Sequence, residues 1–174
     1  WVTRPADEET VASLAQGLGL PLRVARLLVQ RGAATPGLAE EFLFADMGCL
    51  APPERMADLP KAAALIQQAV RRREKILIAG DYDTDGLTGA ALLLQTIRVL
   101  GGDVGCYIPH RLEDGYGLKG QMIRKAARSG VKLLISVDFG TRSFEEIRMA
   151  RSLGLGTVVV EHHYLGGGPP VEAS

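Results

Sequence analysis

Four short runs of apolar residues, separated by turn residues and helical patterns, stand out after residue 75. They cover residues 76–79, 104–108, 133–137 and 157–160. Such runs predict buried β-strands, because a strand covered on both faces needs no polar side. Apolar residues at helical spacing predict intervening helices over residues 88–100, 119–129 and 144–153. Strands that alternate with helices predict an α/β fold, in which a mostly parallel sheet carries helices on its faces.

The part of the chain before these strands predicts short helices only. Val11, Leu14 and Leu18 recur at helical spacing, and a second apolar set follows over residues 22–28. Thr35 is a good N-cap before a proline, and it predicts a third helix that reaches residue 43.

A proline-containing stretch at residues 51–54 resembles a linker, and a longer helix is predicted from Asp58 to Val70. We therefore expect a helical N-terminal region over residues 1–58 and an α/β domain over residues 59–174. The glycine-rich segment 166–170 predicts a loop. Four strands are few for a doubly wound sheet, so we expect the α/β domain to be truncated in this sequence.

Composition narrows the function only slightly. The chain has 20 Lys and Arg residues against 20 Asp and Glu residues, so its net charge of zero gives no argument for nucleic acid. Cys49 and Cys106 lie far apart and form no metal-type pair, and the sequence has no secretory signal. These features suit a cytoplasmic protein. No apolar run approaches the roughly 20 residues of a membrane span, so we expect no membrane partner.

Acidic and imidazole side chains gather where three of the predicted strands end. The three groups are Asp81, Asp83 and Asp85, then Asp138, and finally Glu161, His162 and His163. In an open parallel sheet, ligands bind outside the carboxyl ends of the strands, so we expect the three groups to converge there.

The spacing Asp81, Asp83, Asp85, Gly86 also opens a calcium-binding EF-hand loop. That loop needs a glutamate at its twelfth position, where this chain has Leu92, and it follows a helix rather than a strand. Because three carboxylates this close together repel one another unless a cation neutralises them, the sequence favours a metal site over a plain acidic turn.

Asp138 by itself is as compatible with a turn or a helix cap as with a metal ligand, but Thr141 or Ser143 could cap the next helix instead. His162 and His163 point opposite ways if the strand continues, so we expect one to bind metal and the other to face substrate. Carboxylate and imidazole ligands without cysteine suit Mn²⁺ or Mg²⁺, and zinc less comfortably. Two such ions, about 3.5–4 Å apart and bridged by one carboxylate, would activate water against a phosphodiester. A helix beginning near residues 86–88 would aim backbone N–H groups at the phosphate.

Several motifs in the same places resemble the DHH phosphoesterase superfamily. Residues 80–86 (GDYDTDG) resemble its first motif in the form found in RecJ-type single-strand-DNA-specific exonucleases. Residues 137–140 (VDFG) resemble the second motif, and residues 161–163 (EHH) resemble the Asp-His-His that names the superfamily. Residues 108–118 (IPHRLEDGYGL) and the helical lead-in are also similar to RecJ sequences.

This resemblance implies a Rossmann-like DHH domain and a metal-dependent exonuclease that degrades single-stranded DNA from 5′ to 3′ in DNA repair and recombination. It implies two Mn²⁺ or Mg²⁺ ions in the complete enzyme, and a single-strand-binding protein and a helicase as further partners. The metal ligands, or their immediate support, would be Asp81, Asp83, Asp85, Asp138 and His162. Asp138 would bridge the ions, Asp81 would belong to the catalytic centre, and His163 would approach the scissile phosphate. The resemblance leaves open whether Arg111 binds substrate or forms an ion pair, and whether Tyr116 stacks on a base or packs.

The sequence departs from the family pattern at three positions. Glu161 replaces the first Asp of the signature, a residue that generally supports the site rather than binding metal. Phe139 stands where RecJ members commonly have Asn, and His110 also replaces an Asn. A fourth-motif Asp and a C-terminal substrate-binding domain are expected beyond Ser174, so we expect these 174 residues to be nearly inactive alone.

Three other functions remain open at this point. One is a DHH phosphodiesterase acting on nanoRNA or cyclic dinucleotides, and another is a non-catalytic DHH scaffold in DNA replication. The third is a haloacid-dehalogenase-like phosphatase with Asp81 as nucleophile, although Gly80 separates Asp81 from the strand and the histidine pair would have no role.

Overall fold

The computed structural model describes residues 4–163, so the predicted loop at residues 166–170 lies outside the described residues. The chain divides into two compact units, Trp1–Arg55 and Met56–Ser174. The domain boundary predicted after residue 58 lies close to this division. No helix among the described residues is both long enough and apolar enough to cross a membrane.

The first unit consists of three helices and two short 3₁₀ turns. They are α1 (Glu8–Leu18), α2 (Leu22–Gln30) and α3 (Pro36–Leu43), followed by turns at Met47–Cys49 and Pro53–Arg55. The predicted cap is confirmed, since the Leu38 N–H donates a hydrogen bond to the Thr35 hydroxyl over 3.4 Å. The helices bury a small apolar core that includes Val11, Leu14 and Leu28.

The second unit is built on four parallel strands, which confirms the predicted α/β fold. The strands are β1 (Lys75–Gly80), β2 (Val104–Tyr107), β3 (Val131–Val137) and β4 (Gly156–Val160). Their order in the sheet is β2-β1-β3-β4. Ile78 therefore lies between Cys106 and Ile135, and Val137 of β3 pairs with Val160 of β4. The two central strands thus end side by side, and β4 ends next to β3.

Helices cover both faces of the sheet. They are α4 (Leu59–Arg71), α5 (Thr84–Val99), α6 (Gly120–Arg128) and α7 (Phe144–Ser152). Ala69 of α4 and Ile97 of α5 pack with Ile78 and Ile135 on one face. On the other face, Ile123 of α6 and Ile147 of α7 pack with Leu134. Burial on both faces explains why these strands are continuous apolar runs rather than alternating ones.

Two predicted element boundaries are wrong, and the first of them bears on the site. The helix predicted over residues 88–100, with a start near residues 86–88, begins at Thr84, because Asp83 is its N-cap. Asp85 therefore lies in the first turn of α5 rather than in the loop after β1. The strand predicted at residues 133–137 also begins earlier, at Val131.

Candidate metal centre

The end of β1 places Asp81 in the interior of the protein. Asp81 is only 3% exposed, and its Oδ1 accepts a hydrogen bond of 2.8 Å from the Tyr82 N–H. The Asp81 N–H donates to the carbonyl of Val137 over 3.1 Å, so the β1–β3 ladder extends to this residue. The pairing of β1 with β3 thereby fixes the backbone position from which the Asp81 side chain extends.

Asp83 and Gly86 shape the turn from β1 into α5. The Gly86 N–H donates to Asp83 Oδ1 over 3.1 Å, which caps the helix. A Cβ atom at Gly86 would lie 2.5 Å from the backbone nitrogen and oxygen of Asp81. Because no real Cβ fits at that distance, the close approach of α5 to Asp81 requires glycine at position 86.

The end of β3 holds Asp138 in a backbone conformation that few non-glycine residues adopt. Its φ is +66°, in the left-handed region that asparagine and aspartate tolerate best. Its N–H donates to the Val160 carbonyl over 2.8 Å, and the residue is 3% exposed. Oδ1 lies 2.9 Å from Nε2 of His162, whereas the buried Oδ2 has no hydrogen-bond partner among the described residues. A buried carboxylate oxygen without a partner is costly unless a cation or a donor meets it.

The segment after β4 is organised by Glu161. Its Oε1 accepts hydrogen bonds from the backbone N–H groups of His162 and His163, both over 3.2 Å. The same oxygen lies 2.6 Å from Nδ1 of His163. Three contacts from His162 and His163 thus converge on one oxygen of Glu161.

The structure brings five of the predicted site residues into two overlapping groups. Ligand atoms of Asp81, Asp83 and Asp138 lie within 4.8 Å of one another, and so do those of Asp138, His162 and His163. Asp138 belongs to both groups. Asp85 belongs to neither; its side chain is 67% exposed, and its Oδ2 lies 3.6 Å from His162 Nε2.

Burial and mutual repulsion govern the acids of the site. Burial raises the pKa of Asp81. Burial, and then the neighbouring Asp83 carboxylate, raise the pKa of Asp138. The hydrogen bond from the Gly86 N–H lowers the pKa of Asp83, and the hydrogen bond to Glu161 raises the pKa of His163. Protons are therefore held more strongly than usual at the two buried carboxylates, where a cation would relieve the same repulsion.

Arg111 lies over the ring of Tyr82, the residue between two of the acids. Its guanidinium carbon is 5.3 Å from the ring centroid, a distance at which a cation is attracted to the ring. The structural ion pair considered for Arg111 is not among the contacts found within residues 4–163. Arg111 is exposed, so the stacking leaves its guanidinium open to solvent.

Phe139 and Tyr116 pack against each other beside the site. Phe139 is 1% exposed and contributes to the core with Leu118 and Ile147. The Tyr116 ring meets it edge-on, with centroids 6.1 Å apart, and the Tyr116 hydroxyl donates to the Asp138 carbonyl over 3.3 Å. Tyr116 therefore packs, as one of the two interpretations had it, although the residue remains 53% exposed.

Asp114 has a role that the sequence reasoning missed. Its Oδ2 accepts from the His110 N–H over 2.7 Å and from the Tyr107 hydroxyl over 3.0 Å. Asp114 accepts from the backbone of His110 and not from its side chain. The hydrogen bond can therefore form although His110 replaces the Asn expected at this position. Asp114 thereby ties the loop that carries Arg111 to the end of β2. A polar residue in a glycine-containing turn was the only signal for this role.

A groove of about 550 Å³ adjoins the acidic centre. It is lined by residues that include Lys119, Thr141, Arg142, Ser143, Glu161 and His163. The groove thus places two cations, two acids (Glu146 and Glu161) and two hydroxyls next to one histidine of the site. The sequence motifs offered no sign of it, since its lining residues come from the α6 and α7 entry loops as well as from the segment after β4.

Comparison with protein families gives one match that covers more than half of the chain. Residues 75–173 match the DHH family, N-terminal domain. The matched segment contains all of the acids and histidines described above.

Several curated relatives of the chain are described as single-stranded-DNA-specific exonuclease RecJ. The chain is 37% identical over 166 residues to the Bacillus subtilis protein, a match that covers 95% of this chain and 21% of the relative. It is 40% identical over 112 residues to the Thermus thermophilus protein, which covers 64% of this chain and 17% of the relative. It is 34% identical over 148 residues to the Escherichia coli protein, with coverage of 84% and 25%. The chain therefore spans about a fifth of the length of these relatives.

Solved structures with similar folds include RecJ bound to metal. A crystal structure of exonuclease RecJ bound to manganese aligns with a TM-score of 0.60 and 40% identity, and it covers 63% of this chain and 28% of that one. RecJ from Thermus thermophilus in complex with Mn²⁺ aligns with a TM-score of 0.70 and 27% identity, over 98% of this chain and 23% of that one.

Proposed function

Because the chain belongs to the DHH family, we propose that it forms the metal-binding part of a phosphodiesterase that degrades single-stranded DNA. The proposed activity is that of a RecJ-type exonuclease working from 5′ to 3′ in DNA repair and recombination. A single-strand-binding protein and a helicase are proposed as partners of the complete gene product. The curated relatives described above, all single-stranded-DNA-specific exonucleases, support this substrate over nanoRNA or cyclic dinucleotides. The DHH match also favours this interpretation over a haloacid-dehalogenase-like phosphatase.

The observation that carries the proposal is the position of Asp138 in two groups of potential ligands. On one side lie the carboxylates of Asp81 and Asp83, and on the other lie the imidazoles of His162 and His163. A carboxylate shared in this way can bridge two cations. A scaffold that had lost catalysis would have no reason to keep these residues crowded at one edge of the sheet.

The donor set fits a divalent cation. The partnerless buried Oδ2 of Asp138 and the adjacent acids Asp81 and Asp83 form a site with surplus negative charge. Carboxylate oxygens and imidazole nitrogens without thiolates suit Mn²⁺ or Mg²⁺. We assign Asp81, Asp83, Asp138 and His162 as ligands, and Asp85 as an outer residue that approaches His162 from the first turn of α5. When bound, two such ions activate water and stabilise the leaving oxygen of a phosphodiester.

The remaining polar residues are suited to hold the DNA. His163 lies in the groove next to the ligands and is assigned to the scissile phosphate. Arg111 presents an exposed guanidinium held over Tyr82, which suits a phosphate or a base. Lys119 and Arg142 line the groove and would contact the backbone of the strand. The net charge of zero is therefore compatible with a few cations placed beside the candidate metal centre.

Metal binding by the 174-residue chain tests the first part of the proposal. Binding of Mn²⁺ is measured by calorimetry and by electron paramagnetic resonance. We expect the wild-type chain to bind Mn²⁺, and we expect the Asp138→Asn variant to bind it about tenfold or more weakly. Asp103→Asn removes an exposed acid that precedes β2, at the other end of the sheet, and serves as the matched control. Equal Mn²⁺ affinities for wild type and Asp138→Asn would show that the cluster is not the metal site.

Substrate choice is tested with the complete gene product that contains this sequence. Single-stranded DNA labelled at either end, short RNA and cyclic dinucleotides are compared in the presence of Mn²⁺. We expect the 5′ label to be released first from DNA, with much slower hydrolysis of the other two substrates. Preferred cleavage of the RNA or of the cyclic dinucleotide would replace the exonuclease with the corresponding DHH phosphodiesterase.

A further inference from the structure

The side chain of Glu161 is buried beneath the histidine that it contacts. It is 4% exposed, whereas the side chain of His163 is 55% exposed. One oxygen, Oε1, meets three nitrogens: the backbone nitrogens of His162 and His163, and Nδ1 of His163. Because the carboxylate is shielded from solvent, it is poorly placed to touch a bound nucleotide and acts through the exposed ring.

The contact determines which nitrogen of His163 carries hydrogen. A carboxylate only accepts hydrogen bonds, so a separation of 2.6 Å between Oε1 and Nδ1 requires a proton on Nδ1. The neutral ring then has its lone pair on Nε2. Within residues 4–163, no hydrogen bond or ion pair was found for this Nε2 atom.

From these contacts we infer that Glu161 is a positioning residue, which locks His163 in its Nδ1–H form and leaves Nε2 free for substrate in the adjoining groove. This inference rests on the proposed function and makes it more specific. His163 approaches the Asp138 carboxylate through Nδ1, at 3.7 Å. Ligation of a metal through this nitrogen would require loss of the hydrogen bond to a buried glutamate. The two histidines thereby take different roles, with His162 on the metal side and His163 on the groove side.

The groove provides a place where a bound nucleotide can reach the free Nε2 atom of His163. His163 and Glu161 line it together with Lys119 and Arg142. A nucleotide lying in it would present phosphate oxygens to the two cations. The neutral ring, with its lone pair on Nε2, accepts a hydrogen bond from a water molecule or hydroxyl beside the phosphate.

Nuclear magnetic resonance of the metal-free 174-residue chain tests the inference directly. Long-range proton–nitrogen spectra separate the Nδ1–H and Nε2–H forms, and a His163→Gln variant assigns the signal among the three histidines. We expect wild-type His163 to be mainly Nδ1–H above its pKa. In Glu161→Ala the ratio of the two forms should shift towards Nε2–H by about tenfold or more, because the charge-assisted hydrogen bond is lost. Glu161→Asp keeps a carboxylate and should preserve the Nδ1–H form, whereas Glu113→Ala controls for removal of an exposed acid.

Mn²⁺ affinity distinguishes positioning from ligation. We expect Glu161→Ala to retain clearly higher Mn²⁺ affinity than Asp138→Asn, because only the second variant removes a proposed bridging ligand. A wild-type His163 that is mainly Nε2–H overturns the inference, and so does a loss of Mn²⁺ affinity in Glu161→Ala as large as that in Asp138→Asn. If instead the wild-type chain binds no Mn²⁺ while the tautomer shift is observed, the proposed metal function fails and the Glu161–His163 contact stands.

Discussion

His162 Nε2 lies 2.9 Å from Asp138 Oδ1, although 24 residues separate the two along the chain. The strand register accounts for this proximity. Val137 pairs with Val160, and the Asp138 N–H extends the ladder to the Val160 carbonyl. Because side chains alternate along strands, a shift of one residue in this register would turn the site residues to other faces. The packing of β3 against β4 is therefore a condition for the candidate metal centre.

Replacing Asp138 with Asn should stabilise the metal-free chain. The pKa of Asp138 is raised by burial and by Asp83, so its ionisation costs folding free energy as the pH rises. Asparagine also tolerates the left-handed backbone at this position, where φ is +66°. We expect the melting temperature at neutral pH to rise by about 2–5 °C, as often happens when active-site repulsion is removed.

This gain should shrink as the pH falls, because a protonated Asp138 no longer repels Asp83. Thermal melts across the acid range, with and without Mn²⁺, check both effects. Asp138→Asn should lose the stabilisation that Mn²⁺ gives to the wild type. A metal-free variant less stable than the wild type at neutral pH would contradict the assigned repulsion.

Asp83 has two separable roles, as the N-cap of α5 and as a proposed ligand. Serine caps helices well and removes the repulsion between Asp83 and Asp138, so metal-free Asp83→Ser should melt at or above the wild-type temperature while its Mn²⁺ affinity falls about tenfold. Asp83→Ala should lose the cap as well and melt at a lower temperature. Identical Mn²⁺ affinities in wild type and Asp83→Ser would remove Asp83 from the ligand set.

Gly86 is required by the contact between α5 and the backbone of Asp81. Gly86→Ala would place a Cβ 2.5 Å from two backbone atoms that cannot move independently of β1. We expect a loss of about 1–3 kcal/mol in the free energy of unfolding, as found for overpacked sites. Gly105→Ala is the control, since a Cβ at Gly105 meets no atom within 4 Å. Chemical denaturation of both variants should show the loss only at position 86.

Asp114 should make the loop that carries Arg111 sensitive to acid. Hydrogen bonds from the His110 N–H and the Tyr107 hydroxyl lower the pKa of Asp114 below its usual value of 3.8. Its contribution to stability is therefore present above that value and is lost as the pH falls through the lower pKa of the folded protein. Asp114→Asn should be less stable than the wild type at pH 7, and the difference should disappear at strongly acidic pH. A difference that does not depend on pH would assign the effect to shape rather than charge.

The sequence by itself determined the class of the fold and identified most of the candidate site residues. Continuous apolar runs predict strands buried on both faces, and acids directly after such runs stand out because charged residues are rarely placed there without a function. Asp81, Asp83, Asp138 and His162 were all identified in this way, and the structure brings potential ligand atoms of the other three close to Asp138.

Only the tertiary structure decided which contacts each of these residues makes. Asp85 leaves the cluster because Asp83 starts α5 one turn earlier than the apolar pattern indicates, since a cap is a local hydrogen bond that hydrophobic spacing does not report. Glu161 is buried and selects one nitrogen of His163, while the groove beside it combines residues from separate loops. Burial, register and hydrogen-bond direction arise from contacts between distant segments. The sequence therefore predicts which acids and histidines lie at the carboxyl edge of the sheet. The packing of the sheet determines which of these side chains contact one another.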